Sequence, residues 1–278
     1  MELDQFYTRP NIANNCFQIL LKTLPRVQSR YFIEPSAGNG SFYNLLPENR
    51  RIGIDLVPAA KEIIKADFLS WRPNIYNRNN SVVVGNPPFG NRSNLAINFF
   101  NHSAEMASVI AFIVPNQFQK YSVHSKLNKR FSLIKNIQLP EEAFYTPDNK
   151  SFSLRSVFQI WTDDEVNFIN KRILIPPPIN HPDFEMYQYN NTPEALKVFK
   201  KNWDFAVPRQ GYEDYSRREK DEKKCEKNKQ WILFKPKNSN IYKRLWNMDF
   251  FSLAKRNTVV YGFGKADVVS EYTNKYAR

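Results

Sequence analysis

The chain has 278 residues, 42% of them hydrophobic and 15% aromatic, and carries a formal net charge of +13. That length buries a core as one large domain or as a catalytic domain with a smaller appendage, and the basic balance points to an anionic partner. Two cysteines, Cys16 and Cys225, exclude a disulfide framework or a Cys-rich metal site, and His102, His124 and His181 lack metal-ligand spacing, so no metal is expected.

Taken in chain order, the start Met1–Gln5 is acidic and polar, unlike a signal or transit peptide. Asn11 is expected to cap a helix whose apolar positions Ile12, Cys16, Ile19 or Leu20, and Leu24 recur at helical spacing. Tyr31-Phe32-Ile33 forms a short buried strand that runs into Glu34-Pro35-Ser36-Ala37-Gly38-Asn39-Gly40. Ile52-Gly53-Ile54-Asp55 is a second strand ending on an acid, and Ile63 to Asp67 is a weaker third. Ser81-Val82-Val83-Val84 is a β-branched strand stopped by Gly85-Asn86-Pro87-Pro88-Phe89-Gly90. A helix through Leu95, Phe99 and Ala104 follows, then the buried strand Val109 to Val114, a helix near Gln117–Lys129, and β-like stretches around Ile134–Leu139 and Ser156–Trp161. The run Val109 to Val114 is the longest plainly apolar one, far short of the ~20 residues of a membrane span. A soluble cytoplasmic protein with no membrane partner is expected.

Strands alternating with amphipathic helices indicate an α/β fold with a mostly parallel sheet covered on both faces. In such sheets ligands sit beyond the carboxyl ends of the strands, where all the unusual loops fall. Residues 1–162 are therefore expected to form the catalytic domain and residues 163–278 a C-terminal region. There the pattern changes: Pro176-Pro177-Pro178 suggests an extended linker, and 11 of the 13 residues from Arg217 to Lys229 are charged, suggesting a solvated helix or a mobile loop. Residues 200–278 hold 19 Lys/Arg against 10 Asp/Glu, a balance of +9 that leaves +4 for the rest. Arg209, Lys235, Lys237, Lys243 and Arg244, interleaved with aromatics, are the expected phosphate contacts.

The loops carry the chemistry. Gly38 and Gly40 let backbone approach a nucleotide-like ligand, but the third glycine of a dinucleotide fingerprint is replaced by Tyr43, which disfavours NAD. Asp55 at a strand tip can accept hydrogen bonds from ribose hydroxyls, and Asp67 can meet an adenine amine beside Phe68. Each acid alone could equally cap a loop. Asn86-Pro87-Pro88-Phe89 is the decisive element. An amine on an aromatic ring is a poor nucleophile because its lone pair is delocalised. The Asn86 side-chain oxygen and the Pro87 carbonyl can accept its two hydrogens and return density to nitrogen as it attacks a methyl sulfonium. The prolines hold these acceptors before substrate arrives, and Phe89 can stack on the base. Methylation at cytosine C5 would need a nucleophilic Cys after Pro, but Cys16 follows Asn15 and Cys225 follows Lys224.

These residues resemble the γ-class of S-adenosylmethionine-dependent DNA N6-adenine methyltransferases. Gln5-Phe6-Tyr7-Thr8-Arg9-Pro10 looks like motif X, Glu34 to Gly40 like motif I, Asp55 like motif II, Asp67-Phe68 like motif III and Asn86 to Phe89 like motif IV. The resemblance covers about residues 4–162. It implies a Rossmann-like class I methyltransferase fold, S-adenosyl-L-methionine as cofactor, and double-stranded DNA as partner, with room for a cognate restriction endonuclease. It also implies cofactor contacts from Tyr7, Thr8, Glu34, Pro35, Ser36, Ala37, Gly38, Gly40, Asp55, Asp67 and Phe68, and an aromatic that sandwiches the flipped base. Phe144 is placed for that role, with Tyr145 its rival and a plain core position the alternative. Methylation of RNA adenine N6, RNA guanine N2 or a protein glutamine uses the same four-residue loop, and a non-catalytic nucleic-acid binder on this fold is a further alternative.

Overall fold

The computed structural model describes residues 6–73, 77–165, 167–256 and 260–276. The acidic start and Gln5 of the N-terminal motif lie outside the described residues. The chain forms two compact units, Met1–Leu174 and Ile175–Arg278.

The first unit runs β1 (Tyr7–Thr8), α1 (Pro10–Thr23), β2 (Tyr31–Glu34), β3 (Arg51–Asp55), β4 (Ile64–Lys65), β5 (Ser81–Gly85), α2 (Asn94–Met106), β6 (Val109–Pro115), α3 (Tyr121–His124), β7 (Ser132–Gln138), β8 (Phe144–Tyr145), β9 (Ser151–Phe152) and β10 (Ser156–Thr162). Seven strands form one sheet in the order β4-β3-β2-β5-β6-β10-β7. The first five are parallel, and β10 is antiparallel to both β6 and β7. This is the expected α/β Rossmann-like fold with a mostly parallel sheet. A separate small sheet, β1-β8-β9, joins the N-terminal strand to two later ones.

The period-2 alternation of β-strands divides the core into two layers. Phe32, Val82, Val84, Val109, Ala111 and Ile113 face Ile12, Phe17 and Leu20 of α1. Ile33, Val83, Ile110, Phe112 and Val114 face Ala96, Phe99 and Phe100 of α2. Each strand is buried on both faces, which is why these strands read as continuous apolar runs. Helical cover is thinner than expected between β2 and β5, where the connections hold short 3-10 turns at Tyr43–Leu45, Glu48–Arg50 and Arg78–Asn80.

Two local expectations are corrected. Helix α1 starts at Pro10 with Arg9 at its N-cap, so Asn11 lies inside the first turn. Proline at the first helical position, with φ preset and no N–H to satisfy, outweighs a capping Asn one residue later. The helix expected over Gln117–Lys129 is a 3-10 turn, Asn116–Gln119, then the single turn α3. The Arg172 guanidinium donates to the carbonyls of His124, Leu127, Asn128 and Phe131, and the first of these is one that the expected helix would bond itself. Arg172 and the ion pair Arg30–Asp164 bind the segment after Thr162 into the first unit.

The second unit comprises β11 (Phe184–Tyr189), β12 (Phe205–Gln210), β13 (Gln230–Pro236), α4 (Ser239–Trp246), α5 (Phe250–Arg256) and α6 (Lys265–Tyr276). One face of its antiparallel sheet, β11-β13-β12, packs on the helices, Phe205 against Tyr242 and Trp246, Phe234 against Phe250, and Phe184 against Tyr272. On the other face Trp231 meets Tyr212. The charged run Arg217–Lys229 is not an α-helix but a largely exposed loop with one 3-10 turn, Glu222–Lys224, pinned to the unit at several points. Glu219 bridges to Ala206, Cys225 is buried, and Arg218 donates to the carbonyls of Tyr215, Ser216, Arg217, Trp246 and Met248. Charge density in sequence cannot reveal a guanidinium that finds its acceptors in the backbone.

Candidate active site

Strand β2 has β3 on one side and β5 on the other, so the chain leaves the sheet centre outward through β3 and β4 and returns at β5. This reversal makes the carboxyl ends of β2 and β5 the switch point of the sheet, where a crevice opens between neighbouring loops. The loop after β2 is Pro35 to Gly40 and the loop after β5 is Asn86 to Gly90. They are joined directly, because Ser36 Oγ donates to the Asn86 carbonyl at 2.8 Å.

A cavity of about 360 Å³ occupies this crevice. Of the residues singled out in the sequence, Tyr7, Thr8, Glu34, Pro35, Ser36, Ala37 and Gly38 line it from the N-terminal strand and the first loop. Asp55, Asp67 and Phe68 line it beyond β3 and β4, and Asn86, Pro87 and Pro88 beyond β5. Segments more than seventy residues apart in sequence thus share one pocket. Glycine is favoured at Gly38, where φ is +50° and an added Cβ would lie 3.1 Å from the Tyr7 ring, so Tyr7 covers the loop closely. At Gly85, with φ +152°, a Cβ would stand 3.1 Å from Glu34 Cγ, so the turn into Asn86 passes directly over that carboxyl.

The polar groups divide into those already engaged and those left open. Asp55 accepts the Gly38 N–H at 2.7 Å and the Val57 N–H at 2.8 Å, one on each oxygen. A carboxylate offers about four lone-pair directions, so both oxygens keep capacity for hydroxyl donors while the loop fixes their aim. Asp67 accepts the Leu69 N–H at 3.0 Å, so it does cap its own turn as well as line the pocket. Phe68 is held by Phe99, with ring centroids 5.1 Å apart, and by the edge of His102. Three residues that line the pocket each carry a buried side-chain oxygen with no protein partner: Thr8 Oγ1, Glu34 Oε2 and Asn86 Oδ1. Burial pushes the Glu34 carboxyl well above the usual carboxylate range; an N–H from Tyr43 opposes this and the Asp55 charge reinforces it. An adenosine with a cationic amino-acid tail fits this set: hydroxyl acceptors at Asp55, an apolar wall at Phe68, and unsatisfied acceptors at Glu34 and Asn86.

Gly40, Phe89 and Phe144 do not line the cavity. Gly40 shapes the turn, with φ +84° and its N–H donated to the Ala37 carbonyl. Phe89 is half-buried, and the Phe6 ring meets it edge-on at 5.4 Å. Phe144 is corrected as a stacking residue: it is 0% exposed in the core beside α1, its edge against Phe6. The pleat explains this, since Phe144 and Tyr145 point to opposite faces of β8. Tyr145 pairs with Tyr7, and its hydroxyl accepts from Asn39 Nδ2 at 2.5 Å. Phe152, 37% exposed and stacked on Phe6 at 5.2 Å, was not anticipated. Phe6, Asn39, Ser41 and Leu56 also line the pocket without having been singled out. Phe6 and Asn39 lay inside the quoted motifs, while nothing local marks Leu56.

Of the five basic residues expected to meet phosphate, Lys237 and Lys243 are exposed. Lys235 is paired with Asp204 at 2.8 Å, Arg209 donates to Gln230 Oε1, and the Arg244 guanidinium lies 5.1 Å from the Tyr276 ring centroid. Among the described residues no three His, Cys, Asp or Glu gather to hold a metal, and no helix is long and apolar enough to cross a membrane.

No family model and no curated protein sequence matches the chain. Among solved structures, the Type IIL restriction-modification enzyme MmeI in complex with DNA is similar at 10% identity and a TM-score of 0.49, over 92% of this chain and 64% of that one. The M protein of the Type I restriction enzyme EcoKI is similar at 14% identity and a TM-score of 0.41, over 99% and 71%. A candidate RNA methyltransferase from Pyrococcus horikoshii is similar at 16% identity and a TM-score of 0.44, over 58% and 88%. The chain thus spans under two thirds of the MmeI chain.

Proposed function

We propose that this chain transfers a methyl group from S-adenosylmethionine to the exocyclic N6 amine of an adenine turned out of double-stranded DNA. The observation that carries this proposal is Asn86, which lines a pocket with Gly38, Asp55 and Asp67 and whose Oδ1 is a buried acceptor without a partner. A buried acceptor left unmade costs about 1–3 kcal/mol, and such a cost persists where a ligand is to satisfy it. Bound S-adenosylmethionine would supply an electrophilic methyl group. Asp55 would hold its ribose, Asp67 and Phe68 its adenine ring, and Glu34 and Tyr7 its amino-acid end.

The chain's own contribution is to orient and polarise the target amine. Asn86 Oδ1 and the Pro87 carbonyl accept its two hydrogens, and Ser36 anchors the loop by its bond to the Asn86 carbonyl. Pro87 and Pro88 fix φ, so these acceptors need no reorganisation as charge develops on nitrogen. Turning the base out of the stack costs a few kcal/mol. Stacking on an aromatic returns about 1–3 kcal/mol. Phe89 supplies one such ring, and the exposed Phe152 replaces Phe144 as the second candidate.

The test is methyl transfer from labelled cofactor to unmethylated duplex DNA, total RNA and protein in parallel. Label in DNA that releases as N6-methyladenine supports the proposal. Label confined to RNA or to protein glutamine contradicts the substrate, and no label anywhere contradicts the activity.

A further inference from the structure

We infer that Arg92 grips a backbone phosphate of the nucleic-acid substrate beside the target base, an inference that rests on the nucleic-acid substrate proposed above. Arg92 lies in the loop between β5 and α2, three residues after Phe89. Its backbone is left-handed, with φ 51° and ψ 32°, and Ser93 follows in the same region at φ 65° and ψ 13°. Left-handed backbone brings Cβ against the following carbonyl, so residues other than Gly, Asn and Asp rarely adopt it, and two in succession are rarer still. Asn91 and Asn94, of a type that tolerates this conformation, flank the pair without occupying it.

The strain at Ser93 has an answer within the fold. Its side chain is buried, and Oγ donates to Gln117 Oε1 at 2.8 Å, a clamp from the turn after β6 onto the loop after β5. Arg92 has no such answer. Its side chain is exposed and makes no hydrogen bond, ion pair or ring contact among the described residues. Glycine would hold the same backbone without cost, so the fold alone gives no reason for an arginine. Disfavoured backbone that the surroundings enforce points to a function for the side chain it presents. Consecutive Cα atoms are 3.8 Å apart, so Arg92 Cα stays within about 11 Å of Phe89 Cα. A guanidinium on that tether reaches the sugar-phosphate flanking a base held at the catalytic loop, and its planar fork matches phosphate oxygens.

The experiment compares wild type, Arg92→Gly and Arg92→Lys by fluorescence anisotropy on a labelled DNA duplex and an RNA duplex across a salt series, with thermal melts of the free proteins. Arg92→Gly should melt at or above the wild-type temperature, bind about three- to tenfold more weakly, and lose about one unit of log–log salt slope. Arg92→Lys should keep the slope. A wild-type slope in Arg92→Gly overturns the inference and leaves the nucleic-acid substrate standing. A lower melting temperature for Arg92→Gly also overturns it, because the side chain would then serve the fold. If wild type binds neither duplex, both the inference and the proposed substrate fall.

Discussion

Both units spend guanidinium groups on backbone carbonyls, Arg172 in the first and Arg218 in the second. Both bury unpartnered polar atoms, but among the described residues only the first unit gathers several of them on residues that line one pocket. In the first, Thr8 Oγ1, Glu34 Oε2 and Asn86 Oδ1 are buried and unpartnered, on residues lining the pocket at the carboxyl edge of the sheet. In the second, the conspicuous charges are spent inside the unit: Arg217 pairs with Glu219 and Glu226, Arg218 holds backbone carbonyls, and Lys235 pairs with Asp204. A polar group whose partners the chain supplies serves the fold, and an unpartnered one on a pocket-lining residue calls for a ligand, a water or a catalytic role. The acids that pair with these cations are already subtracted in the +9 balance of residues 200–278, so exposed cations such as Lys237 and Lys243 carry the excess.

The largest expected effect lies in the pocket. Asn86→Ala should slow single-turnover methylation about 10²–10³-fold, as for loss of one preorganised polar partner. Cofactor affinity, measured by calorimetry, should change little, since Asp55 and the Gly38 loop remain. A comparable fall in cofactor affinity would move Asn86 from chemistry to binding.

Asp55→Ala should weaken S-adenosylmethionine binding by ~1.5–3 kcal/mol, about ten- to a hundredfold. The variant also frees the Gly38 and Val57 N–H groups, so circular dichroism must first show it folded. Unchanged affinity in a folded variant would sink the ribose assignment.

The second unit is tested by sorting its cations. Neutralising Lys237 and Lys243 together should lower the log–log salt slope of DNA binding by about two units. Lys235→Gln should leave the slope nearly unchanged, because its ammonium already has Asp204 as counter-ion. Equal slopes for the two variants would erase the distinction between spent and free charge.

The smallest effect concerns Glu34. Its carboxyl is raised by burial, so in the folded state it holds its proton above the ordinary value of 4.5. Such a group contributes stability below the unfolded pKa, and that stability is lost as pH rises through the folded one. Glu34→Gln removes the loss, so its melting temperature should gain on wild type progressively as pH climbs above about 4.5. A pH-independent gap between the two proteins would show that the carboxyl is not held neutral.

Much of the first unit was legible in the sequence, because strands buried on both faces and strand-end loops with Gly, Asp and Asn-Pro-Pro leave local marks. The pocket joins those loops because β2 and β5 are neighbours, and both run into a turn. What stayed hidden depended on contacts distant in sequence. Arg172 taking the carbonyls from His124 to Phe131, and Arg218 settling into backbone carbonyls, leave no local pattern. Phe144 was misplaced because the β pleat sends it into the core, while its neighbour Tyr145 turns to Tyr7 on the other face. Arg92 and Ser93 carry no sequence signal of left-handed backbone, since the residues that tolerate it, Gly90, Asn91 and Asn94, lie before and after them.

The most direct measurement is nucleoside mass spectrometry of unmethylated plasmid DNA incubated with S-adenosylmethionine and either wild type or Asn86→Ala. The pocket chemistry proposed here yields N6-methyladenine with wild type, and a rate lower by about 10²–10³ with the variant. Wild-type and Asn86→Ala proteins that methylate adenine at equal rates, or a wild type that leaves the adenines unmodified, would contradict it.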